Sequence, residues 1–499
     1  MTRSQASPSN APAIRIADDG HTSNAIQINN YVDDEHEQGI VRIQKFSMAF
    51  GQSFGIPTTQ PPVSPLKKVT VTVVRTKLLI PGDDDPVADA ALVIENKLIA
   101  WIGPKSEIPS KYTDNAHKAV ETPYLMPGLW DCHLHFIDTG LPTKDEGNYA
   151  AFIATHPATN GARLAKDCWK ALQNGYTSVR DLAGMGCEVA IAVNEGTIVG
   201  PNIYSAGACL SQLAGHGDIF GLPAGIVAGN LGVTQVPYGF MGTGVTVIAD
   251  GVDECRKATR LQIRRGAKCI KVLASGGVLS RDDDVTCAQY SSSELSTIVA
   301  EANRQKRIVA AHVHANDAIR LAVNLGVGTV EHNSFADEET IKLIKQKNVI
   351  YVATRYIVQM LLKTGGEGID PASWEKAKLC ATNHLKAYKL AVQHGCTIAL
   401  GSDTTPGDEG SAQEIQFAVE AGLSNLEAIK AATANGPLTV AGQAPQTGQL
   451  KVGYEADILG VLENPVEDVK VLQNKDNIRW VWKGGKLFKG PGIGPWGEE

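Results

Sequence analysis

The sequence predicts an α/β chain. Its core is a (β/α)8, TIM-like barrel, and a small composite β-domain, a β-sandwich, is drawn from both chain ends. Three observations lead there. Between about residues 125 and 435, short apolar runs alternate with helix-length amphipathic stretches, the texture of strand–helix units. β-Branched strands recur at both chain ends, outside that region. The first run of the middle region ends in histidines, where an open doubly wound sheet would want a Gly-rich phosphate turn.

The elements follow in chain order. Residues 1–65 are rich in Ser, Asn, Gln and Pro and end in Pro61-Pro62-Val63-Ser64-Pro65, which predicts a partly disordered N-terminal extension. Residues 66–124 open the composite β-domain, with a strand at 69–74 and a hairpin of 91–94 and 98–102. Residues 436–499 complete it, with strands at 457–462 and 479–482, a Gly484-Gly485 turn and a final strand at 486–488. The barrel, residues 125–435, carries eight apolar runs: 129–132, 177–180, 203–206, 269–273, 308–311, 328–330, 349–353 and 397–400. Amphipathic stretches such as 253–265 and 292–304 lie between them. Gly175, Gly266, Gly326 and Gly395 stand where helices would stop.

Composition narrows the function. The 499 residues are 43% hydrophobic and 20% charged, enough for a large core without disulfides. A net charge of −7 with interspersed signs argues against nucleic acid or an anionic membrane as partner. No apolar run reaches the ~18 residues of a membrane span, and the N-terminus lacks the apolar stretch of a signal peptide. The nine cysteines are odd in number and include no Cys-x-x-Cys. They read as reduced, buried thiols of a cytoplasmic protein, with secretion by a route lacking a recognisable signal peptide left open.

The ends of the runs carry the chemistry. The first closes on His133-Leu134-His135, and residues two apart on a strand face the same way, so both imidazoles can share a metal. One such pair is a weak signal, since two satisfied polar histidines look the same. The fourth run places Lys271 inside an apolar strand, where an ammonium costs several kcal/mol unless paired or neutralised. The fifth ends on His312-Val313-His314, the sixth on His332 and the eighth on Asp403. Strand ends of one barrel meet at its C-terminal mouth, so these groups converge and a metal site is the favoured reading.

With these residues in view, the sequence resembles the amidohydrolase superfamily of metal-dependent hydrolases. The marks are Pro127-Gly128-Leu129-Trp130-Asp131-Cys132-His133-Leu134-His135, the lysine of Ile270-Lys271-Val272 and the closing Gly401-Ser402-Asp403. Further stretches extend the resemblance from about residue 66 to the end, among them Ala214-Gly215-His216-Gly217-Asp218 and the tail from Trp482 to Trp496. The resemblance implies two zinc ions per chain. His133 and His135 would hold one with Asp403, and His312 and His332 the other. Lys271 would bridge them as a carbamate, N6-carboxylated by carbon dioxide. His314 would lie beside the substrate, the exchange of His312 and His314 being the alternative.

The supporting residues come from chemistry and position. Asp403 is placed to orient a water, take its proton and pass it to a leaving amine. His216, in a Gly-rich loop, can donate to a developing oxyanion, a loop-stabilising histidine being the alternative. Arg355, after the seventh run, can pair a substrate carboxylate, a structural salt bridge being the alternative. The expected reaction is hydrolysis of a small-molecule amide to an amino acid. The nearest members of the superfamily imply a phenylalanine amide of an aromatic acid. A dipeptidase, including one acting on Xaa-Pro, and an N-acyl amino acid hydrolase are the competing substrate classes. Ring opening of a cyclic amide or ester is a further one. A catalytically silent scaffold is disfavoured, because none of the six ligand positions is missing. The resemblance also suggests a homo-oligomer, an octamer being one size.

Overall fold

The computed structural model describes residues 69–113, 117–137, 155–233 and 245–498. The extension expected at 1–65 lies outside the described residues. The fold is mixed α/β, with one sheet built from the chain ends and parallel strands alternating with helices between them.

The end sheet has seven strands. They are β1 (Val71–Leu79), β2 (Val87–Glu95), β3 (Leu98–Pro104), β4 (Lys118–Pro127), β15 (Ile458–Val461), β16 (Ile478–Lys483) and β17 (Lys486–Lys489). Their order, β17-β16-β15-β4-β1-β2-β3, interleaves the two ends, as expected. The β2–β3 hairpin turns at Asn96, whose φ of 55° is left-handed. The central strand β4 was not foreseen. Its sequence contains Pro123, which normally excludes a central position. The register steps from Thr76↔Thr122 to Leu78↔Tyr124, so no ladder pair is asked of Pro123. Its carbonyl instead accepts from Thr76 Oγ1 at 2.9 Å. This strand runs across the expected boundary at 124/125.

All eight expected runs are strands: β5 (Leu129–Leu134), β6 (Tyr176–Asp181), β7 (Asn202–Ser205), β10 (Ile270–Leu273), β11 (Val309–Val313), β12 (Thr329–His332), β13 (Ile350–Val352) and β14 (Ile398–Ala399). Two short strands were missed, β8 (Cys209–Ser211) and β9 (Thr246–Ile248). The parallel strands form two sheets, β5-β6-β7 and β14-β13-β12-β11-β10-β8-β9. Their edges meet. Cys132 donates to Leu400 O and His135 to Thr404 O, each at 2.8 Å, and Lys268 donates to Ser205 O at 2.7 Å. The arrangement is TIM-barrel-like.

Helices fill the intervals because their apolar faces cover the strands. Helix Ser292–Arg304 starts on a capping box between Ser291 and Glu294. It buries Leu295, Ile298, Val299 and Ala302. Helices Val252–Arg265 and Asn316–Leu325 end at Gly266 and Gly326, whose φ angles of 111° and 91° favour glycine. Among the described residues, no helix is long and apolar enough to cross a membrane.

Candidate metal centre

The strand ends bring the expected ligands together. His133 lies in β5 with His135 just beyond it, Lys271 in β10, His312 in β11, and His332 at the end of β12. His314 and Asp403 follow β11 and β14. The His133 and His135 rings stand 5.3 Å apart, and His133 lies 5.0 Å from His332. His312 and His314 lie 4.5 and 5.0 Å from His332. Two groups have all their ligand atoms within 4.8 Å of one another: His133, His332 and Asp403, and His312, His314 and His332. His332 belongs to both. The second group holds His314 as well as His312.

Neighbouring side chains fix which ring atom each histidine offers. His133 Nδ1 donates to Glu331 Oε2 at 2.8 Å, and His135 Nδ1 to the Ala183 carbonyl at 3.2 Å. Both rings therefore present a bare Nε2. These two nitrogens stand 3.3 and 2.9 Å from Asp403 Oδ1. With each Nδ1 turned to its own acceptor, the two Nε2 atoms and Asp403 Oδ1 converge as donors for a cation. Thr354 Oγ1 donates to the Ala353 carbonyl, so it accepts from His332 Nδ1 at 2.7 Å and frees that ring's Nε2 as well.

The electrostatics agree with a ligand set. Burial, reinforced by Lys271, pushes His133 down to about 4, and burial holds His314 at about 3. Burial also holds His312 and His332 well below the ordinary histidine value. All four rings are neutral, as metal ligation requires. Burial raises the pKa of Asp403, but the groups facing it, Lys271 among them, hold it below the ordinary aspartate value. Lys271 is 2% exposed, with Nζ 3.5 Å from His133 Nε2, and burial lowers its pKa although Glu331 and Asp403 oppose.

The backbone is bent to serve the site. Asp403 and His332 have φ angles of 60° and 71°, a left-handed conformation that costs non-glycine residues energy and clusters at functional sites. Gly401 is required by space, since a Cβ there would sit 2.5 Å from His133 Cβ.

Sequence reasoning missed the residues behind the ligands. Arg180, fully buried, donates to Glu331 at 2.9 and 3.0 Å and to Thr329 Oγ1 at 3.0 Å. Burial alone would raise the Glu331 carboxyl, yet Arg180 and His133 hold it at about 2. Asp131 accepts from the Ser402 amide and hydroxyl at 3.1 and 2.6 Å, fixing the turn that delivers Asp403. Arg180 and Glu331 are charged residues inside apolar strands, the same signal that singled out Lys271.

His216 and Arg355 are placed differently from one another. His216 stacks on His312 at 4.4 Å and lies against Gly277, where a Cβ would approach its ring to 2.2 Å. Its Nδ1 meets Ser280 Oγ at 2.8 Å. The Ser280 hydroxyl donates to Asp283, so it accepts from His216. A neutral ring so held turns its Nδ1 proton to Ser280 and leaves Nε2 without a partner among the described residues. Arg355 opens helix Arg355–Lys363 and is 7% exposed. Its Nη1 has no hydrogen-bond partner among the described residues. Three further histidines stand in structural contacts: His156 caps helix Pro157–Gln173, buried His384 donates to Ala353 O at 2.7 Å, and His394 lies 3.4 Å from Glu338.

A barrel-like fold with histidines and an aspartate at its strand ends, gathered around a lysine buried within a strand, fits a hydrolase of the metal-dependent amide-cleaving class. The chain belongs to the amidohydrolase family, whose profile matches residues 124–488. It is 58% identical over 430 residues to the ochratoxinase of Aspergillus niger, covering 86% of this chain and 89% of that protein. The crystal structure of Aspergillus niger ochratoxinase superposes with a TM-score of 0.81 at 56% identity, covering 87% of this chain and 99% of that one. A Xaa-Pro dipeptidase structure with methionine bound in its active site gives 0.71 at 25% identity, covering 84% and 100%.

Proposed function

We propose that this chain hydrolyses the amide bond between an aromatic acid and an amino acid, with ochratoxin A cleaved to phenylalanine and ochratoxin alpha as the leading substrate. The observation that carries this reading is the 58% identity with ochratoxinase across 86% of the chain. The donor cluster at Asp403 supports the metal-hydrolase part of that reading independently. Xaa-Pro dipeptides are the second reading, favoured by the dipeptidase likeness at 25% identity.

His133, His135 and Asp403 would hold one metal ion, and His312 and His332 the other, with Lys271 as a bridging carbamate. Zinc suits the nitrogen-rich donor set. Burial shifts the Lys271 amine toward its neutral form, and only the free amine combines with carbon dioxide, which supports the carbamate. When bound, the ions supply a polarised substrate carbonyl and a water acidic enough to attack near neutral pH. Asp403 takes the proton from that water and returns it to the leaving nitrogen, so the C–N bond breaks as hydroxyl adds to the carbonyl carbon. Glu331 and Thr354 hold His133 and His332 in the tautomers that present Nε2. His314, behind Ser334 at 2.8 Å, lies beside the substrate. Arg355, with its unpartnered Nη1, would pair the substrate carboxylate.

The same reading takes the parallel strands as a closed (β/α)8 barrel, residues 125–435, and the end sheet as a β-sandwich domain of residues 66–124 and 436–499. It further takes the protein as a cytoplasmic homo-oligomer, an octamer being one size, with neither nucleic acid nor membrane as partner. Nine free cysteines, eight of them buried, support a reducing compartment. The test is phenylalanine release from ochratoxin A, with and without chelator, beside a panel of Xaa-Pro dipeptides. Chelator-sensitive release from the toxin supports the reading, and cleavage of Xaa-Pro dipeptides alone would replace it.

A further inference from the structure

One buried chain of hydrogen bonds has no part in holding the expected ligands. It runs outward from His216. His216 Nδ1 lies 2.8 Å from Ser280 Oγ, and Ser280 donates onward to Asp283 Oδ1. Asp283 collects four donors: that hydroxyl, Lys376 Nζ at 2.8 Å, the Gly277 amide at 2.8 Å and Gln289 Nε2 at 3.2 Å. A carboxylate so surrounded is ionised and accepts only. The single Ser280 hydrogen is therefore spent on Asp283, and Ser280 accepts the His216 Nδ1 proton.

The chain is built to be rigid. Lys376 also donates to Asp283 O at 3.2 Å and to Ser280 O, tying the loop to helix Pro371–Gln393. Gln289 Oε1 takes the His216 backbone amide at 3.0 Å. The ring is clamped between Gly277 on one face and His312 on the other. Ser280 and Asp283 are buried, while the His216 side chain is 15% exposed. Its Nε2 accepts no hydrogen bond from any described residue and stands beside the ligand cluster.

We propose that Ser280 and Asp283, anchored by Lys376, are positioning residues that lock His216 with Nε2 bare, so that it accepts the N–H of the scissile amide. The enzyme is thereby specific for secondary amides. A phenylalanine amide carries that N–H. A Xaa-Pro bond does not, and its tertiary nitrogen would leave the acceptor unpaired, a cost binding sites use to reject near-isosteres. This rests on the amide-hydrolase reading above and narrows it to one amide class.

The test uses a matched pair of substrates, an N-acyl phenylalanine and the ester in which oxygen replaces the N–H. Steady-state constants are measured on the metal-loaded full chain for wild type, Ser280→Ala and Ser280→Thr. We expect Ser280→Ala to lower kcat/KM for the amide about tenfold, the size of one hydrogen bond, and the ester by no more than about twofold. Ser280→Thr, which keeps the hydroxyl, should preserve the amide rate. Where Ser280→Ala does not fold, Ser280→Cys, with its weaker acceptor, replaces it. Equal losses on amide and ester in a folded variant would overturn the proposal, as would an unchanged amide rate. Failure of wild type to cleave either substrate would instead overturn the amide-hydrolase reading.

Discussion

Asp403 meets His133 twice. Its amide donates to the His133 carbonyl at 2.7 Å, and its Oδ1 stands 3.3 Å from His133 Nε2. The turn after β14 is thus stitched to β5, and the stitch sets carboxylate and imidazole at ligand spacing. Asp403→Asn keeps the shape and the amide bond but removes the charge and the proton acceptor. It should lower kcat at least ~100-fold while leaving the circular dichroism spectrum unchanged. Retained turnover would remove Asp403 from the chemistry.

Lys271 separates stability from activity. A lone ammonium is costly in this setting, so an apolar side chain of similar length is tolerated or stabilising. Lys271→Met should keep or raise the melting temperature of the metal-free protein and abolish hydrolysis. A variant that is both stable and active would show that the lysine has no part in the site.

Glu331 and Arg180 form a buried pair behind His133. Removing one partner strands the other charge, so Glu331→Ala should cost about 3–5 kcal/mol in urea unfolding. Combining Arg180→Met with Glu331→Leu should recover much of that loss, while activity stays low because His133 has lost its acceptor. Additive losses in the double variant would contradict the pairing.

Glu414 makes stability depend on pH. It accepts the Arg355 and Tyr356 amides at 2.9 and 2.6 Å, yet burial pushes its carboxyl from 4.5 up to about 8. The unfolded chain releases this proton near 4.5 and the folded chain only near 8, so the group withdraws stability as pH rises across that window. Glu414→Gln should flatten the decline by up to about 1.4 kcal/mol per pH unit inside the window and change little below it. Parallel stability curves for wild type and variant would contradict this.

Gly277 is fixed by His216. A methyl group there would sit 2.2 Å from the ring. Gly277→Ala should displace the imidazole and lower kcat/KM about tenfold or more without changing metal content. An unchanged rate would mean that His216 does not touch the substrate.

Much of this was legible in the sequence, for a physical reason. The candidate ligands sit at or just beyond strand ends, and apolar runs closing on His133, His332 or Asp403 are visible without coordinates. Strand β4 was hidden because Pro123 argues against a central strand, and only the register shows how it is accommodated. The Ser280–Asp283 chain was hidden because its members lie in a loop with no periodicity. Arg180 and Glu331 were readable, since burial of a charge in an apolar strand demands a partner. The left-handed turns at His332 and Asp403 fall on residue types that tolerate positive φ better than most, but that tolerance is too weak to mark a position in the sequence.

Metal content and phenylalanine release from ochratoxin A, measured on the same sample, test the central claim most directly. The account predicts about two metal ions per chain and release that stops with chelator and returns with zinc. No metal and no turnover, even after zinc and bicarbonate are supplied, would contradict it.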